Sequence, residues 1–596
     1  MLNKDLSAIV IVACALVLIP GGAIAQNLPG GATPGGALPD LGSKRLPDAP
    51  EPGAVVVPSM LERLEQDVDE GVKIRVKRFD VIANRNPMTA WRKGTYLDGV
   101  EKTLASNVVG QPADGYTLGQ IGQVIRGIQN DLRQDGMMLA QVFLPVQTVV
   151  DGVVTVQIME GRVGKVITEG NERYKDKILQ KPVSGLAGRA VDSTEVEQAI
   201  LLLRDYPGIA VAGVLSPGSS LGTTDLTLRV QDEDPFNFDV TIDNYGSEFT
   251  GESRVLATFD YNNATGHADV ISLAMLQTYD PEDATYGSIE YLLPVFWPGT
   301  YFTASYVQNV FDVSGGAALG TTNIEGDTRV GKIGFSHSIV RSREQNLSAS
   351  INLISKRATI DNSTSGVTQA EDKLTVLDVG VNFDMVDKRF RGINSGYLSF
   401  SQGMPDTFGS LTSSIPGADL GSSRQNTSRT SAGGKFDKWT AEFARLQQLG
   451  EHSELLVRTS AQVSDDLIVS LEQFSMGGPN SVRAFPPAEY LVDTGGFASV
   501  EWFLAAPGFA DKEGFRGYTW GELLRFSLFY DYAGGYLSEP AFGEQKTRDL
   551  NGYGFGIDFR LPGTLWARLD IAKPRGTEKP SDGDDPQLYF SFNYSF

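Results

Sequence analysis

Few side chains of this 596-residue chain are equipped for covalent chemistry. Its readily titrating or soft groups are three histidines, His267, His337 and His452, and one cysteine, Cys14. No two histidines have metal-ligand spacing, and neither a Gly-x-Ser-x-Gly elbow nor a phosphate-binding loop appears. By strand parity His337 shares a face with Ile333 and Phe335, while the other two fall in or beside tight turns. Cys14 sits inside an apolar run, so the mature chain carries no thiol, which excludes disulfides, cysteine-ligated zinc and cysteine nucleophiles. Scattered Asp and Ser residues would admit a hydrolase site, but as polar lining they need no chemistry. No metal, cofactor or catalytic residue is expected.

What remains is an arginine and a carboxylate far apart in sequence. Arg483 lies in MGGPNSVRAF (Met476 to Phe485), and Asp531 in RFSLFYDYAGG (Arg525 to Gly535). In the second segment Phe526, Leu528 and Tyr530 alternate with Ser527, Phe529 and Asp531, so a strand there has one oily and one polar face. A solvated inward carboxylate costs little. It gains meaning if a loop carrying an arginine folds back onto it.

The element holding Asp531 is one of many like it. The last ten residues, QLYFSFNYSF, put Leu588, Phe590, Phe592, Tyr594 and Phe596 on one face and Tyr589, Ser591, Asn593 and Ser595 on the other. Similar alternation recurs back to about residue 236, with strand candidates near Phe238, Val255, Ile271, Ser288, Phe302, Gly331, Ser348, Leu377, Tyr397, Ala441, Leu456, Val500, Phe526, Phe555, Leu569 and Phe590. About 16 antiparallel strands, facing lipid outside and water inside, form a transmembrane β-barrel over residues 236–596. Short connections (ATGHA, FWPGT, RSREQ, QLGEH, LPGT) alternate with long ones: Val313 to Thr328, Ala358 to Lys373, Met404 to Arg429, Phe474 to Phe497 and Ser538 to Gly552. Short turns read as periplasmic and long loops as external. Pro507 to Gly521 breaks the rule, being long where a short turn is due.

The net charge of −22, with no basic stripe, argues against a nucleic-acid partner. Residues 1–25, with Lys4, the apolar run Leu6 to Ile19 and Ala23-Ile24-Ala25 before Gln26, read as a secretory signal peptide. A lipid-anchored Cys14 is the competing reading. Residues 26–71 form a Pro/Gly-rich tether, in which Ser59 to Glu70 has the pattern of a short helix, packed or plug-like. Two small units follow, each β-α-α-β-β. In residues 72–161 a strand at Val72 to Ile82 precedes helices at Leu97 to Val109 and Thr117 to Gln134, stopped at Gly136, and a hairpin of Leu139 to Val146 with Gly152 to Glu160. In residues 162–235 the counterparts are Lys165 to Glu169, Lys175 to Val183, Ser193 to Tyr206 with a capping box at Thr194 to Glu197, and Ile209 to Ser216 with Thr224 to Gln231.

With these residues in view, the chain from residue 72 onward resembles the transporters of two-partner secretion, which export haemolysins and filamentous-haemagglutinin-like adhesins. GMMLAQVFLPVQTVVDGVVTVQIMEGRV (Gly136 to Val163) is similar to the end of that family's first POTRA module. Val482, Arg483, Ala484 and Phe485 stand where the family has VRGY/F, and FYDYA, with Phe529 and Asp531, where it has F-x-D-x-G. Ala484 and Ala533 replace family glycines, so a differently turned loop tip is expected; Met137 stands where an aromatic is usual.

The resemblance implies two periplasmic POTRA modules before a barrel in the outer membrane of a Gram-negative bacterium. Its client would be an unfolded exoprotein, captured on POTRA sheet edges and exported without ATP, and Arg483 would pair with Asp531. It further implies outer-membrane lipid and the barrel assembly machinery as partners, with the terminal Phe596 as insertion signal. Modules that only brace the barrel, and an assembly factor for other barrels, are the alternatives.

Overall fold

Alternating side chains commit each segment to a strand, and sixteen such strands in antiparallel neighbour pairing close into a barrel from Phe236–Asp243 to Gln587–Ser595. The computed structural model describes residues 29–39, 55–56, 72–83 and 94–596, less 190–192, 221, 280–282, 314–322, 364–366, 414, 417–421, 425–429 and 541–544. Cys14, the cleavage site before Gln26 and the Ser59 to Glu70 segment lie outside the described residues. On the last strand Leu588, Phe590 and Phe592 are exposed while Tyr589 and Ser591 are buried, as the alternation requires.

The first and last strands meet over five residue pairs, Asp239–Ser595 to Asp243–Ser591. Side chains reinforce this seam: Asn593 Nδ2 donates to Thr241 Oγ1 (2.9 Å) and Asn244 Nδ2 to the Leu588 carbonyl (2.7 Å). Phe596 is exposed, its ring 5.2 Å from Phe238 and its N–H bonded to the Phe238 carbonyl (2.9 Å).

Several connections that look like long loops are strand. The strands Ile324–Arg341, Gln345–Asn362 and Val367–Asp387 pair far beyond the lipid-facing part of the wall, shortening the expected Val313–Thr328 and Ala358–Lys373 loops. Outside lipid the oily/polar contrast fades, so alternation no longer marks the strand although backbone pairing continues. The long Pro507–Gly521 connection is built rather than slack. Thr519 and Glu522 form a capping box for the turn Trp520–Leu523, and Phe509 meets Trp520 edge-on at 5.9 Å.

Two α/β units precede the barrel. In the first, helices Gly94–Val109 and Leu118–Gln134 bury Val100, Leu104, Ile121, Ile125, Ile128 and Leu132 against a sheet of order Arg78–Ala83, Val153–Met159, Gln141–Phe143. The hairpin turns at Asp151 and Gly152, both at positive φ. The expected strand Val72 to Ile82 is broken at Val76, whose N–H and C=O are both taken by the Gln111 side chain (3.0 and 2.8 Å). In the second unit the helix at Lys175 to Val183 shrinks to Asp176–Gln180, followed by a 3-10 turn at Ser184–Leu186. The other helix starts at Ser193, placing Thr194 inside the first turn rather than at the cap. One edge of its sheet carries Val55–Val56, paired in parallel with Gly213 and Val214 on the Ile209–Pro217 strand, while Arg162–Glu169 forms the other edge. Arg341 grips Asp205 (2.7 Å) and Arg343 meets Glu197 (2.5 Å), seating this unit beneath the barrel.

Part of the supposed tether is packed. Pro29 to Pro39 reads PGGATPGGALP, a doubled Pro-Gly-Gly-Ala. It turns at Gly30–Ala32 and Pro34–Ala37 inside the external half of the lumen, where Ala32 and Ala37 are buried against Phe311, Val313, Ile324 and Ile360. Asn309 Nδ2 donates to the Ala37 carbonyl (3.0 Å). Only glycine fits here: a Cβ on Gly30 would lie 2.1 Å from the Ala488 carbonyl oxygen, and one on Gly35 2.1 Å from that of Ser470. Below it the lumen holds a cavity of about 1000 Å³ lined in part by Arg254, Asn346, Asp384, Glu442 and Arg458. Gly35→Val should therefore expel this segment while the barrel stays folded, read as a higher single-channel conductance than wild type in planar lipid bilayers.

Candidate functional site

The arginine reaches the wall because its loop is stiff. Residues 464–493 leave the strand Ser453–Val463, make a short hairpin of Phe474–Met476 with Tyr490–Val492, and send their tip into the lumen. Gly477 and Gly478 adopt φ of 99° and 93°, and a Cβ on Gly477 would lie 2.4 Å from the Pro486 carbonyl oxygen. The tip is closed by bonds from Gly478 N–H to the Phe485 carbonyl (2.9 Å) and from Phe485 N–H to the Val482 carbonyl (3.1 Å).

Arg483, 1 % exposed, lies against the strands Thr494–Ala505 and Leu524–Tyr536. Its Nε and Nη2 both donate to Asp531 at 2.8 Å, a two-pronged pairing that fixes orientation as well as distance. Its backbone N–H also donates to Asp531 (3.2 Å), Nη1 to Glu501 (3.0 Å) and Nη2 to Ser499 Oγ (3.3 Å). The Phe529 ring lies 3.3 Å from Cζ, a cation–π contact worth about 2 kcal/mol when desolvated.

Sequence reasoning picked out Val482, Arg483, Ala484, Phe485, Phe529 and Asp531, and all six are buried here together. It passed over a second arginine. Arg568, on the strand Leu565–Pro574, donates to Asp570 (2.7 and 2.8 Å), to Glu501 (2.5 Å) and to Asp558 (3.3 Å). Glu501 thus bridges two guanidiniums. The same alternation that turned Asp531 inward turns Ser499, Glu501, Arg568 and Asp570 inward, so a signal for them existed. These inward carboxylates are paired and buried, not simply solvated.

Neither Ala484 nor Ala533 adopts a positive φ. Apart from Gly477 and Gly478, the positive-φ residue of this loop is Ala488, at φ 53°. Room for the Ala484 methyl comes from Gly552 on the next strand, where an added Cβ would lie 2.3 Å from it. Ala484 and Ala533 share one buried cluster with Val482, Phe485 and Phe529. From the last strand, Tyr589 Oη donates to the Phe485 carbonyl (2.7 Å).

External loops are tied above this site. Arg424 pairs with buried Asp493, which also accepts from Ser538 N–H (2.8 Å) and Gln473 (3.0 Å). Glu472, fully enclosed, holds Lys356 and Lys438, each at 2.6 Å.

Residues 222–512 match the family model of the haemolysin secretion/activation proteins ShlB/FhaC/HecB, and residues 101–161 that of the ShlB-type POTRA domain. The chain belongs to the two-partner secretion transporters. Among its relatives, the heme/hemopexin transporter protein HuxB of Haemophilus influenzae (strain 86-028NP) is 23% identical over 490 residues, 79% of this chain and 80% of that one. The outer membrane transporter CdiB of Escherichia coli O6:K15:H31 (strain 536 / UPEC) is 25% identical over 376 residues, 62% of this chain and 61% of the other. The solved structure of CdiB from Escherichia coli shares the fold, with a TM-score of 0.67 at 20% identity, over 90% of this chain and 93% of that one. The transporter is an outer-membrane protein with a periplasmic POTRA domain.

Gly552→Ala should undock the loop tip of the transporter and lower secretion, and Ala484→Gly in the same chain should restore it; secretion assays of the single and double variants read this directly. A second test uses Glu489, beside the tip. Burial, then nearby Asp582 and Glu248, pushes its carboxyl up to about 7, against hydrogen bonds from Ser581. The docked loop therefore favours the protonated form. Its contribution to docking is full at acid pH and is lost as pH rises from the ordinary glutamate range through about 7. Conductance should rise over that interval, and Glu489→Gln should flatten the profile.

Proposed function

We propose that this transporter moves one unfolded exoprotein from the periplasm to the cell surface through its own barrel, with Arg483 and Asp531 as the latch of the resting pore. The observation that carries the reading is the fully buried, two-pronged Arg483–Asp531 pair inside a closed barrel whose lumen is polar. Removing either partner strands a charge, at a cost of roughly 3–5 kcal/mol.

In this reading residues 1–25 are the signal peptide, 72–161 and 162–235 are two POTRA modules, and 236–596 is the barrel. An extended client adds to a module sheet through backbone hydrogen bonds, which demand little of its sequence. The Ile209–Pro217 edge already carries Val55–Val56, so a client using that edge must displace them. Folding outside prevents return, so no nucleotide is consumed, and the chain is not an enzyme. Phe596, closing the seam beside Phe238, serves insertion by the barrel assembly machinery into outer-membrane lipid. The side-chain bonds across the seam favour export through the lumen over lateral release of other barrels.

Arg483→Ala and Asp531→Ala should each cut secretion of the exoprotein about tenfold or more, consistent with the loss of several kcal/mol from the latch, with heat-modifiable barrel still present in outer-membrane fractions. Wild-type secretion in both variants would remove the latch from the mechanism.

A further inference from the structure

The outer wall carries one ordered row of cations. Arg329, Arg357 and Lys373 stand directly opposite one another on the adjacent strands Ile324–Arg341, Gln345–Asn362 and Val367–Asp387. All three point outward, in phase with exposed Ile333 and Phe335, Ile351, and Val379, and their side chains are 48, 53 and 40% exposed.

Height places the row at a boundary. Arg341 marks the periplasmic end of its strand, where it holds Asp205, and Arg329 stands twelve positions above it (341 to 329). At about 3.3 Å per residue and a tilt near 40°, that is roughly 30 Å, just past an apolar band of about 25 Å. Immediately below the two arginines lie Gly331 and Ser355, and an added Cβ on Gly331 would meet nothing within 4 Å; Thr375, below Lys373, is buried and donates its hydroxyl to the Thr407 carbonyl (2.8 Å). A shelf thus separates the arginines from the oily wall.

The acids sit on the other side. Asp327 pairs with Arg329 (Nε to Oδ1, 3.2 Å), and Glu371 is shared by Arg357 (2.7 Å) and Lys373 (2.8 Å). Both lie two positions further toward the exterior, as Asp312 and Glu325 do beyond them. Three cations face two carboxylates, and the cations form the tier nearest lipid.

We propose that this wall is a binding site for an acylated, phosphorylated glycolipid of the outer leaflet, its phosphates on Arg329, Arg357 and Lys373 and its acyl chains over Ile333, Ile351 and Val379. Charge complementarity and continuity with the apolar band select this occupant. A soluble phosphate would use only half of the surface. Basic side chains near a membrane surface each add a modest attraction to anionic headgroups, screened by salt.

The test is native mass spectrometry of the full chain in detergent micelles, titrated with diphosphoryl lipid A, monophosphoryl lipid A or phosphatidylglycerol. Wild type should retain diphosphoryl lipid A best. The triple variant Arg329→Gln, Arg357→Gln, Lys373→Gln should bind it at least about tenfold more weakly. Glu371→Gln, which frees two cations, should bind it more tightly, a gain that a misfolded wall could not produce. Unchanged retention by the triple variant, no tightening in Glu371→Gln, or equal binding of phosphatidylglycerol would each overturn the assignment.

Discussion

A guanidinium taken out of water must find an acceptor for each of its N–H groups, and this requirement organises the barrel interior. Arg483 spends its donors on Asp531, Glu501 and Ser499, residues of two neighbouring strands held in register. Their spacing is set by the sheet, so the loop tip has one place to go. Arg568 repeats the arrangement one strand-pair away and holds Glu501 from its other oxygen. Two arginines and four carboxylates then form a single body, and shifting one member disturbs all of them.

Around that body, volume matters as much as charge. Gly552 exists as a hollow for the Ala484 methyl, and Gly30 and Gly35 let backbone touch backbone where any side chain would collide. Small residues thus decide how closely the loop tip and the N-terminal turns approach the wall, while the ion pairs decide in which orientation they stay. The external tie at Asp493 joins loops to each other, whereas Glu472 fastens its loop to the barrel strands through Lys356 and Lys438.

Much of this was legible in the sequence because lipid and water impose opposite demands on alternate residues. Every one of the sixteen segments marked by that contrast is a barrel strand. Where the contrast ends, legibility ends: the strand extensions at Ile324 and Val367 carry polar residues on both faces and read as loops. The six latch residues were found through a motif, whereas Glu501 and Arg568 needed only parity and were overlooked because no motif names them. Pro29 to Pro39 was misjudged for a different reason. Glycine and proline ordinarily signal slack chain, and nothing in their own sequence reveals a seat shaped for the absence of side chains.

Those N-terminal turns end at Pro39 near the cell exterior, and the same chain pairs with a periplasmic sheet from Val55. Fifteen residues of sequence lie between these two packed points. One stretch of backbone thus belongs to the inner wall through Ala32 and Ala37 and to the second module's sheet through its pairing with Gly213 and Val214. Whatever strips it from the sheet acts on the same polypeptide that occupies the lumen.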